Sequence, residues 1–399
     1  MGIISDHRFK RRESGTITRD LAVRALTLAR ARSSSVIDRA IEIAGIPSPT
    51  GQERARSVAV AALFRGAGLL DVVTDEIGDT VACLPGANQG PPLLLAAHID
   101  TVFPLDTPLR FDRTPDRVTG PGIGDNSLGI ASLLALPGML DELGIQPARD
   151  IFLTGNVGEE GLGDLKGIRR VMDDRPDIAA VIAVEGHNLG RVTHVAVGSR
   201  RFRVRITGEG GHSWGDFGAS SALHAAAEII HELCRIPLPA NPKTTLNVGV
   251  LEGGTSINTI ASSAWFNLDL RSVEGYALDR LAERVQRVLN ARRRGISVAV
   301  DVVGNRPAGV APSDSRFVRL AVDVLDALGV APAGDASSTD ANIAISRGLP
   351  AVCIGLTTGG GVHREDEFID IEPVERGLAQ LITLTICAAD ELHRGSLQL

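Results

Sequence analysis

Residues 92–100 read PLLLAAHID, and this stretch decides the fold. A continuous apolar run of this length is typical of a strand that other elements cover on both faces, as in the parallel sheets of α/β proteins. The run ends in His98 and Asp100, whose side chains point to the same side because side chains alternate along a strand. We therefore expect an α/β domain that carries polar side chains at one edge of its sheet.

The segments around this strand alternate between short apolar runs and helical patterns, which predicts a largely parallel central sheet. Thr50 and Glu53 have the spacing of a capping box and predict the start of a helix. Pro137 predicts a kink or a break in another helix, because proline removes a backbone donor. The main predicted strands span 80–84, 92–97, 150–154, 179–184 and 351–356, and the main predicted helices span 127–143, 165–172, 313–328 and 375–392.

From residue 199 the pattern changes. Phe202, Val204 and Ile206 alternate with polar residues as in a half-exposed strand, and the segments that follow are predicted in the order β-α-β-β-α-β. That order is the ferredoxin-like arrangement. After residue 306 the α/β rhythm returns, so we predict one α/β domain in two parts, residues 1–198 and 307–399, interrupted by an inserted ferredoxin-like domain at residues 199–306.

Composition excludes several classes of partner. The net charge of −7 and the sequence pI near 5.8 argue against nucleic acid and against an anionic membrane, which both require a basic surface. Aromatic residues make up only 3%, so platforms for stacking bases are not expected.

Compartment signals favour the cytoplasm. The four cysteines lie far apart in apolar segments, as expected of buried thiols in a reducing compartment. Basic residues at 8–12 are not followed by an apolar segment, so no secretory signal is predicted. No apolar run approaches the roughly 20 residues of a membrane span.

Six residues that can bind metal each follow an apolar run or a glycine-rich loop: His98, Asp125, the pair Glu159 and Glu160, Glu185 and His363. Nitrogen and carboxylate ligands suit zinc and similar cations, and one carboxylate can bridge two ions about 3.5–4 Å apart. Two divalent cations would be neutralised by Asp125, Glu160, Glu185 and one hydroxide. We therefore expect two metal ions at this edge of the sheet.

Each of these residues also has a structural explanation. Asp125 could cap a helix, and a lone loop histidine such as His363 is more often a surface residue. Glu159 and Glu160 could form a solvated acidic loop, although two adjacent charges that face one cavity need cations to neutralise them. With metal present, one of the two would be a ligand and the other a general base.

The combined pattern resembles the di-zinc metallopeptidase and amidohydrolase family of glutamate carboxypeptidase, aminoacylase, succinyl-diaminopimelate desuccinylase and tripeptide aminopeptidase. The resemblance extends over nearly all of the chain from about residue 35. The matching positions are 46–53, 98–102, 120–129, 158–161, 185, 211–213, 253–258, 269, 271, 363 and 367.

The resemblance implies a zinc-peptidase-like catalytic domain with an inserted lid and dimerisation domain, and therefore a homodimer. It places one zinc ion on His98 and Glu185, a second on Glu160 and His363, and Asp125 between them, with cobalt or manganese as alternative metals. It assigns the remaining roles as follows: Asp100 supports His98, Glu159 is the general base, His212 stabilises the oxyanion, and Asn258 and Arg271 bind the substrate carboxylate.

Substrate signals conflict. By the resemblance, Glu185 favours N-acyl-amino-acid hydrolases and carboxypeptidases, whereas residues 337–342 are similar to the aminopeptidase members. We therefore predict hydrolysis of the amide bond of small peptides or N-acyl amino acids, with a dipeptide or tripeptide aminopeptidase as the alternative. A catalytically silent dimeric metal-binding protein is the alternative from another class, and Glu159, which has no evident structural duty, argues against it.

Overall fold

The computed structural model describes residues 16–397, and the basic residues at 8–12 lie outside this range. The helices, numbered along the chain, are α1 (Thr16–Ala44), α2 (Arg54–Gly66), α3 (Gly129–Leu143), α4 (Lys166–Asp174), α5 (Ala222–Cys234), α6 (Gly275–Leu289), α7 (Arg316–Ala327), α8 (Ala341–Ser346) and α9 (Val374–Arg394).

Strands β1–β10 are β1 (Leu70–Thr74), β2 (Thr80–Leu84), β3 (Leu93–His98), β4 (Asp112–Arg113), β5 (Arg117–Thr119), β6 (Ile151–Asn156), β7 (Ala180–Glu185), β8 (Arg191–Ala196), β9 (Gly198–Thr207) and β10 (Gly211–His212). Strands β11–β19 are β11 (Thr244–Gly253), β12 (Thr259–Ile260), β13 (Ser263–Ser272), β14 (Ser297–Arg306), β15 (Gly309–Val310), β16 (Ala333–Ser337), β17 (Ala351–Gly355), β18 (Gly359–Gly360) and β19 (Phe368–Asp370).

The described chain divides into two compact units, one made of the residues up to Ala196 together with those from Val310, and one of Val197–Gly309. The first unit contains a nine-stranded sheet in the order β1-β2-β6-β3-β7-β17-β8-β15, in which β16 also pairs with β8. Its central strands β6, β3, β7 and β17 are parallel neighbours. The prediction of an α/β fold with a largely parallel central sheet is confirmed.

Strand β3 explains why the sheet is buried on both sides. Leu93 and Leu95 belong to a core that includes buried residues of α1, α3, α7 and α9. Leu94 and Ala96, on the opposite face, belong to a second core with residues of α4 and α8. Each buried leucine contributes roughly 1.5–3 kcal/mol relative to an exposed one, so the run holds the strand at the centre of the sheet.

Helix α1 was not predicted from the sequence, although it has 29 residues and packs against α9 and α3. The buried stripe of this helix includes Ala22, Ala25, Ala29 and Ala40. Alanine is small and only weakly hydrophobic, so an alanine-rich stripe gives a faint periodic signal even though it allows close packing.

One local prediction was wrong, and one of the two alternatives in another is excluded. The Thr50–Glu53 capping box is absent, because α2 begins after Glu53 without a side-chain cap and the Thr50 hydroxyl donates instead to Asp100 Oδ2 at 2.9 Å. Helix α3 continues through Pro137 and does not break there.

The segment Ile123–Leu143 is long and apolar enough to cross a membrane by length and composition alone. In the structure 72% of its most apolar window is buried inside the protein. Buried helices at the core of a folded domain have the same composition, so burial against the sheet and neighbouring helices accounts for its apolar character.

The second unit has the element order β9-α5-β11-β13-α6-β14, with the short strands β10 and β12 paired to each other. Its four-stranded sheet is antiparallel in the order β11-β13-β9-β14. Phe202, Val204 and Ile206 of β9 pack in one core with the buried faces of α5 and α6. The sheet therefore has one face covered by helices.

Candidate metal centre

The carboxyl ends of neighbouring parallel strands bring the first two candidate ligands together. His98 is the last residue of β3 and Glu185 is the last residue of β7, its parallel neighbour. His98 is only 1% exposed. Polar residues gather at this edge because parallel strands end there side by side.

Asp125 reaches the same place from the turn before α3. Its backbone N–H donates to Glu367 Oε1 at 2.8 Å, and Gly122 N–H and Gly124 N–H donate to the same carboxylate at 3.0 and 2.8 Å. A Cβ atom at Gly124 would lie 2.1 Å from His187 Nε2, so only glycine fits that position. The loop is therefore held around Asp125 by a fully buried carboxylate.

His363 completes the cluster from the loop after β18. It adopts a φ of 67°, in the left-handed region that few residues other than glycine occupy. Strain of this kind concentrates at functional sites, where surrounding contacts hold it in place. Its Nε2 lies 3.1 Å from Glu160 Oε1 and 3.2 Å from Asp125 Oδ2.

The two oxygens of Asp125 face different imidazoles. His98 Nε2 lies 3.0 Å from Asp125 Oδ1 and 3.5 Å from Glu185 Oε2, whereas His363 Nε2 faces Asp125 Oδ2 and Glu160. Two ligands of one tetrahedral zinc ion are separated by about 3.3 Å, given zinc–ligand distances of about 2.0–2.1 Å. The imidazole–carboxylate distances in both sets are close to this separation, and the ligand atoms of His98, Asp125 and Glu160, which come from both sets, all lie within 4.8 Å of one another.

The tautomer of His98 also fits a cation. Its Nδ1 lies 3.0 Å from the backbone oxygen of Asp100, so the Nδ1 hydrogen is donated there. In the neutral ring Nε2 then carries a lone pair that is directed at the oxygens of Asp125 and Glu185. A lone pair that faces two carboxylates is repulsive unless a positive charge lies between them.

The pKa shifts of the clustered carboxyl groups and of His363 also indicate that positive charge stabilises this cluster. Burial alone would raise the pKa of Asp125, yet its hydrogen bonds with His363 and His98 lower it well below the ordinary value. Burial raises the pKa of Glu160 and of Glu185, and the charge of Asp125 adds to both shifts. Hydrogen bonds to Asp125 and Glu160 raise the pKa of His363 to about 10. Cations could replace the protons that this anionic cluster attracts.

Asp100 supports both the metal centre and the loop beside it. Its carboxylate accepts the backbone N–H of Glu159 at 3.0 Å and that of Glu160 at 2.9 Å, and Oδ1 lies 3.5 Å from His98 Nδ1. Burial opposes ionisation, but the contact with His98 and these N–H donors keep the pKa of Asp100 below its ordinary value. Asp100 therefore positions Glu159, which is itself 7% exposed.

The sequence of this chain is similar to those of known proteins. The model of peptidase family M20/M25/M40 matches residues 94–385. The chain belongs to this family. Membership confirms the resemblance seen in the sequence. Members of this family generally depend on two metal ions, and zinc is the usual metal.

Individual members of the family show the same relationship. The chain is 31% identical over 288 residues to a probable carboxypeptidase of Aspergillus clavatus. The match covers 65% of this chain and 63% of the relative, so the chain spans less than two thirds of that relative's length. It is 26% identical to the succinyl-diaminopimelate desuccinylase of Corynebacterium glutamicum, over 82% of this chain and 90% of the relative. A tripeptidase structure from Staphylococcus aureus has a TM-score of 0.76 at 21% identity and covers 90% of this chain and 99% of its own, which shows the fold.

The sequence did not identify the role of Glu367 in this M20/M25/M40 peptidase. Glu367 is fully buried and accepts three loop N–H donors, and its Oε1 also lies 2.9 Å from His187 Nε2. The resemblance paired Glu367 with His363, and no sequence pattern indicated that it would hold the Asp125 loop, 242 residues away.

His212 and Asn258 lie in the second unit, on a segment we name the tip: residues 209–220 together with residues 256–260. His212 Nδ1 accepts N–H from Trp214 and from Gly215, each at 3.2 Å. The hydrogen of the neutral ring is therefore on Nε2, which is a donor. The backbone oxygen of Asn258 accepts the N–H of Ser213 at 3.0 Å, which joins the two halves of the tip.

Arg271, also in the second unit, forms an ion pair with a neighbour on its own strand. Its Nε donates to Asp269 Oδ2 at 2.7 Å, and the other oxygen of Asp269 accepts Arg201 Nε at 3.1 Å. Any substrate carboxylate on Arg271 would have to share the guanidinium with Asp269.

Proposed function

We propose that this peptidase hydrolyses the amide bond of small peptides or N-acyl amino acids with two metal ions, zinc as the expected pair and cobalt or manganese as alternatives. One observation supports this most: the two oxygens of Asp125 lie 3.0 and 3.2 Å from the Nε2 atoms of His98 and His363. Glu185 and Glu160 complete the two donor sets. Each set keeps room for a non-protein ligand, as in catalytic zinc sites.

The metal ions, when bound, would polarise the scissile carbonyl and lower the pKa of the attacking water. The protein residues then move the protons. Glu159 is placed beside Glu160, with its backbone held by Asp100, and we propose that its carboxylate accepts the proton of the attacking water. It then gives this proton to the departing amine, so one group serves as base and as acid.

We further propose that the second unit is the ferredoxin-like lid and the dimerisation domain of a homodimer. Its β-α-β-β-α-β order and its antiparallel sheet support this assignment. The Nε2–H of His212 is the type of donor that stabilises a tetrahedral oxyanion. Asn258 and Arg271 would bind the substrate carboxylate, Arg271 in competition with Asp269.

For the substrate, Glu185 favours N-acyl amino acids and peptides with a free carboxylate, and the desuccinylase and carboxypeptidase relatives agree with that class. The tripeptidase fold supports the aminopeptidase alternative. A panel of free-amino dipeptides and tripeptides against N-acylated amino acids, with zinc, cobalt or manganese added, separates the two. Higher kcat/KM on free-amino peptides would reverse the preference. We expect the reaction in the cytoplasm.

Replacing the proposed base tests the mechanism directly. Glu159→Gln should lower kcat by about 10²–10⁴-fold while both metal ions remain, because only the proton acceptor is lost. Glu160→Gln is the matched comparison, and there we expect loss of metal together with loss of activity. Metal content and kcat are measured on the same preparations.

Full activity in Glu159→Gln would exclude the assigned base. A metal-loaded wild-type protein that hydrolyses nothing in the panel would instead support the catalytically silent metal-binding alternative.

A further inference from the structure

A second buried carboxyl group lies behind the metal centre. Asp340, at the start of α8, is 1% exposed, and its Oδ2 accepts Asn156 Nδ2–H at 2.8 Å. Asn156 is the last residue of β6, fully buried, and it lies directly opposite His98 in the parallel pairing of β3 and β6. The Asp340–Asn156 pair therefore lies next to a proposed metal ligand without being one.

Two oxygens of this pair have no hydrogen-bond partner. Asp340 Oδ1 and Asn156 Oδ1 are both buried and unpaired. An unpaired buried acceptor costs about 1–3 kcal/mol, and more if it is charged. A carboxylic acid and a primary amide can, however, face each other through two hydrogen bonds, in which the acid O–H donates to the amide oxygen and the amide N–H donates to the acid oxygen.

We propose that Asp340 is a neutral carboxylic acid at mildly acidic pH, that its O–H donates to Asn156 Oδ1, and that the pair acts as a positioning element behind His98. One proton then satisfies both unpaired oxygens. The protonation state does not depend on the proposed function, whereas the role toward the metal centre rests on it.

Charged groups around Asp340 favour the neutral form. Burial raises the pKa of Asp340 to about 7, against the opposing influence of His98 and of the Asn156 amide. Carboxylates on neighbouring elements add to the rise, so the proton is retained even though one imidazole is close. Five titratable groups interact electrostatically with Asp340. They lie at the end of β3 and just after it, on β7 and β17, and in the turn before β2: His98, Asp100, Glu185, Cys353 and Asp79.

A neutral Asp340 has a consequence for the charge balance of the proposed centre. The three ligand carboxylates and one hydroxide already neutralise two divalent cations, and the carboxylates of Asp100 and Glu159 are buried beside them. An ionised Asp340 would add a further negative charge in a buried environment, which is costly. In the acid form, the pair can support the ends of β3 and β6 without changing that balance.

The test is the pH dependence of thermal unfolding of the protein as purified, compared between wild type and Asp340→Asn. Between about pH 4 and 7 the folded state keeps a proton on Asp340 that the unfolded state releases, so the contribution of Asp340 to the free energy of unfolding falls as the pH rises. Asp340→Asn mimics the neutral acid, since one amide can pair with another, and it removes this loss. We expect its Tm gain over wild type to be small near pH 4 and to reach its full size at pH 8.

Two comparisons make the result specific. Asp314→Asn, at a carboxylate whose side chain is 80% exposed, should show no pH-dependent gain. Asn156→Asp places a second carboxyl group against Asp340, so its Tm should fall more steeply with pH than that of wild type. The infrared difference between wild type and Asp340→Asn at pH 6 should contain a carboxylic acid carbonyl band.

Asp340→Asn should also retain both metal ions and a kcat/KM close to that of wild type at pH 7. The proposal is overturned if this variant unfolds below wild type at pH 8, if its Tm difference is the same at every pH, or if only a carboxylate band appears. Loss of metal in this variant would likewise show that Asp340 acts as an anion.

Discussion

Two histidines with different proposed roles, His98 as a metal ligand and His212 as a hydrogen-bond donor, show how the two units of this protein differ. His98 donates from Nδ1 to a backbone oxygen, so its Nε2 lone pair is free for a metal ion. His212 accepts two backbone N–H groups at Nδ1, so its Nε2 carries a hydrogen. The backbone contact at one ring nitrogen thus decides whether the other is a ligand or a donor.

The surroundings of the two side chains differ as strongly. His98 is buried among carboxylates that come from Asp125 and Glu185, which are 27 and 87 residues away along the chain. His212 is exposed, and the groups that hydrogen-bond to its ring and to its backbone N–H, on Trp214, Gly215 and Asp216, all lie within four residues. The surroundings of His98 therefore depend on the tertiary fold, whereas the orientation of the His212 ring is set by neighbours in its own sequence.

Of the three changes that follow, the one at the tip has the largest expected effect. His212→Ala should lower kcat by about 10²–10³-fold, the usual cost of losing one oxyanion donor, without changing metal content. Steady-state kinetics and metal analysis on the same sample check this. His224→Ala, at an exposed histidine of α5, is the matched control and should behave as wild type. If His212→Ala kept its kcat, the donor role of Nε2 would be wrong.

A smaller effect is expected at the support of the Asp125 loop. Glu367→Gln replaces one acceptor oxygen by a donor that faces backbone N–H groups, so the loop should loosen. We expect metal affinity to fall by about 10–100-fold, as for other residues that orient ligands. Competition with a chelator measures the affinity.

Glu283→Gln, on the exposed face of α6, is the control and should retain wild-type affinity. Unchanged affinity in Glu367→Gln would mean that the loop is held by other contacts.

The smallest expected effect is at Thr50. Thr50→Val removes the hydroxyl that donates to Asp100 Oδ2, a loss of about 1 kcal/mol, and should lower metal affinity by a few-fold. Urea unfolding and metal titration detect a change of this size. Thr245→Val on the exposed side of β11 should leave affinity unchanged. A Thr50→Val protein with wild-type affinity would show that the Glu159 and Glu160 N–H groups suffice to hold Asp100.

Much of the fold was predictable because its signals are local. The apolar run of β3 and the alternation of strands and helices follow from burial on both faces of a parallel sheet. Helix α1 was missed because its buried stripe is largely alanine. The Thr50 prediction failed because a capping box and a tertiary contact to Asp100 use the same residue types, and only the fold decides between them.

The candidate site was predictable in its residue types but not in its supports. His98, Asp125 and Glu185 were selected because charged or imidazole groups at the ends of apolar runs need an explanation. Glu367, Asn156 and Asp340 carry no such mark in the sequence. Their importance arises from two contacts, Asn156 with Asp340 and Asp125 with Glu367, which span 184 and 242 residues and which no sequence period encodes.

The central claim is that Asp125 joins two metal sites, and the number of bound metal ions tests it most directly. Elemental analysis of wild-type protein dialysed against zinc should give two ions per chain. Asp125→Ala, which removes the shared carboxylate, should bind neither ion tightly. A single ion per chain in wild type, or two ions retained in Asp125→Ala, would contradict the account.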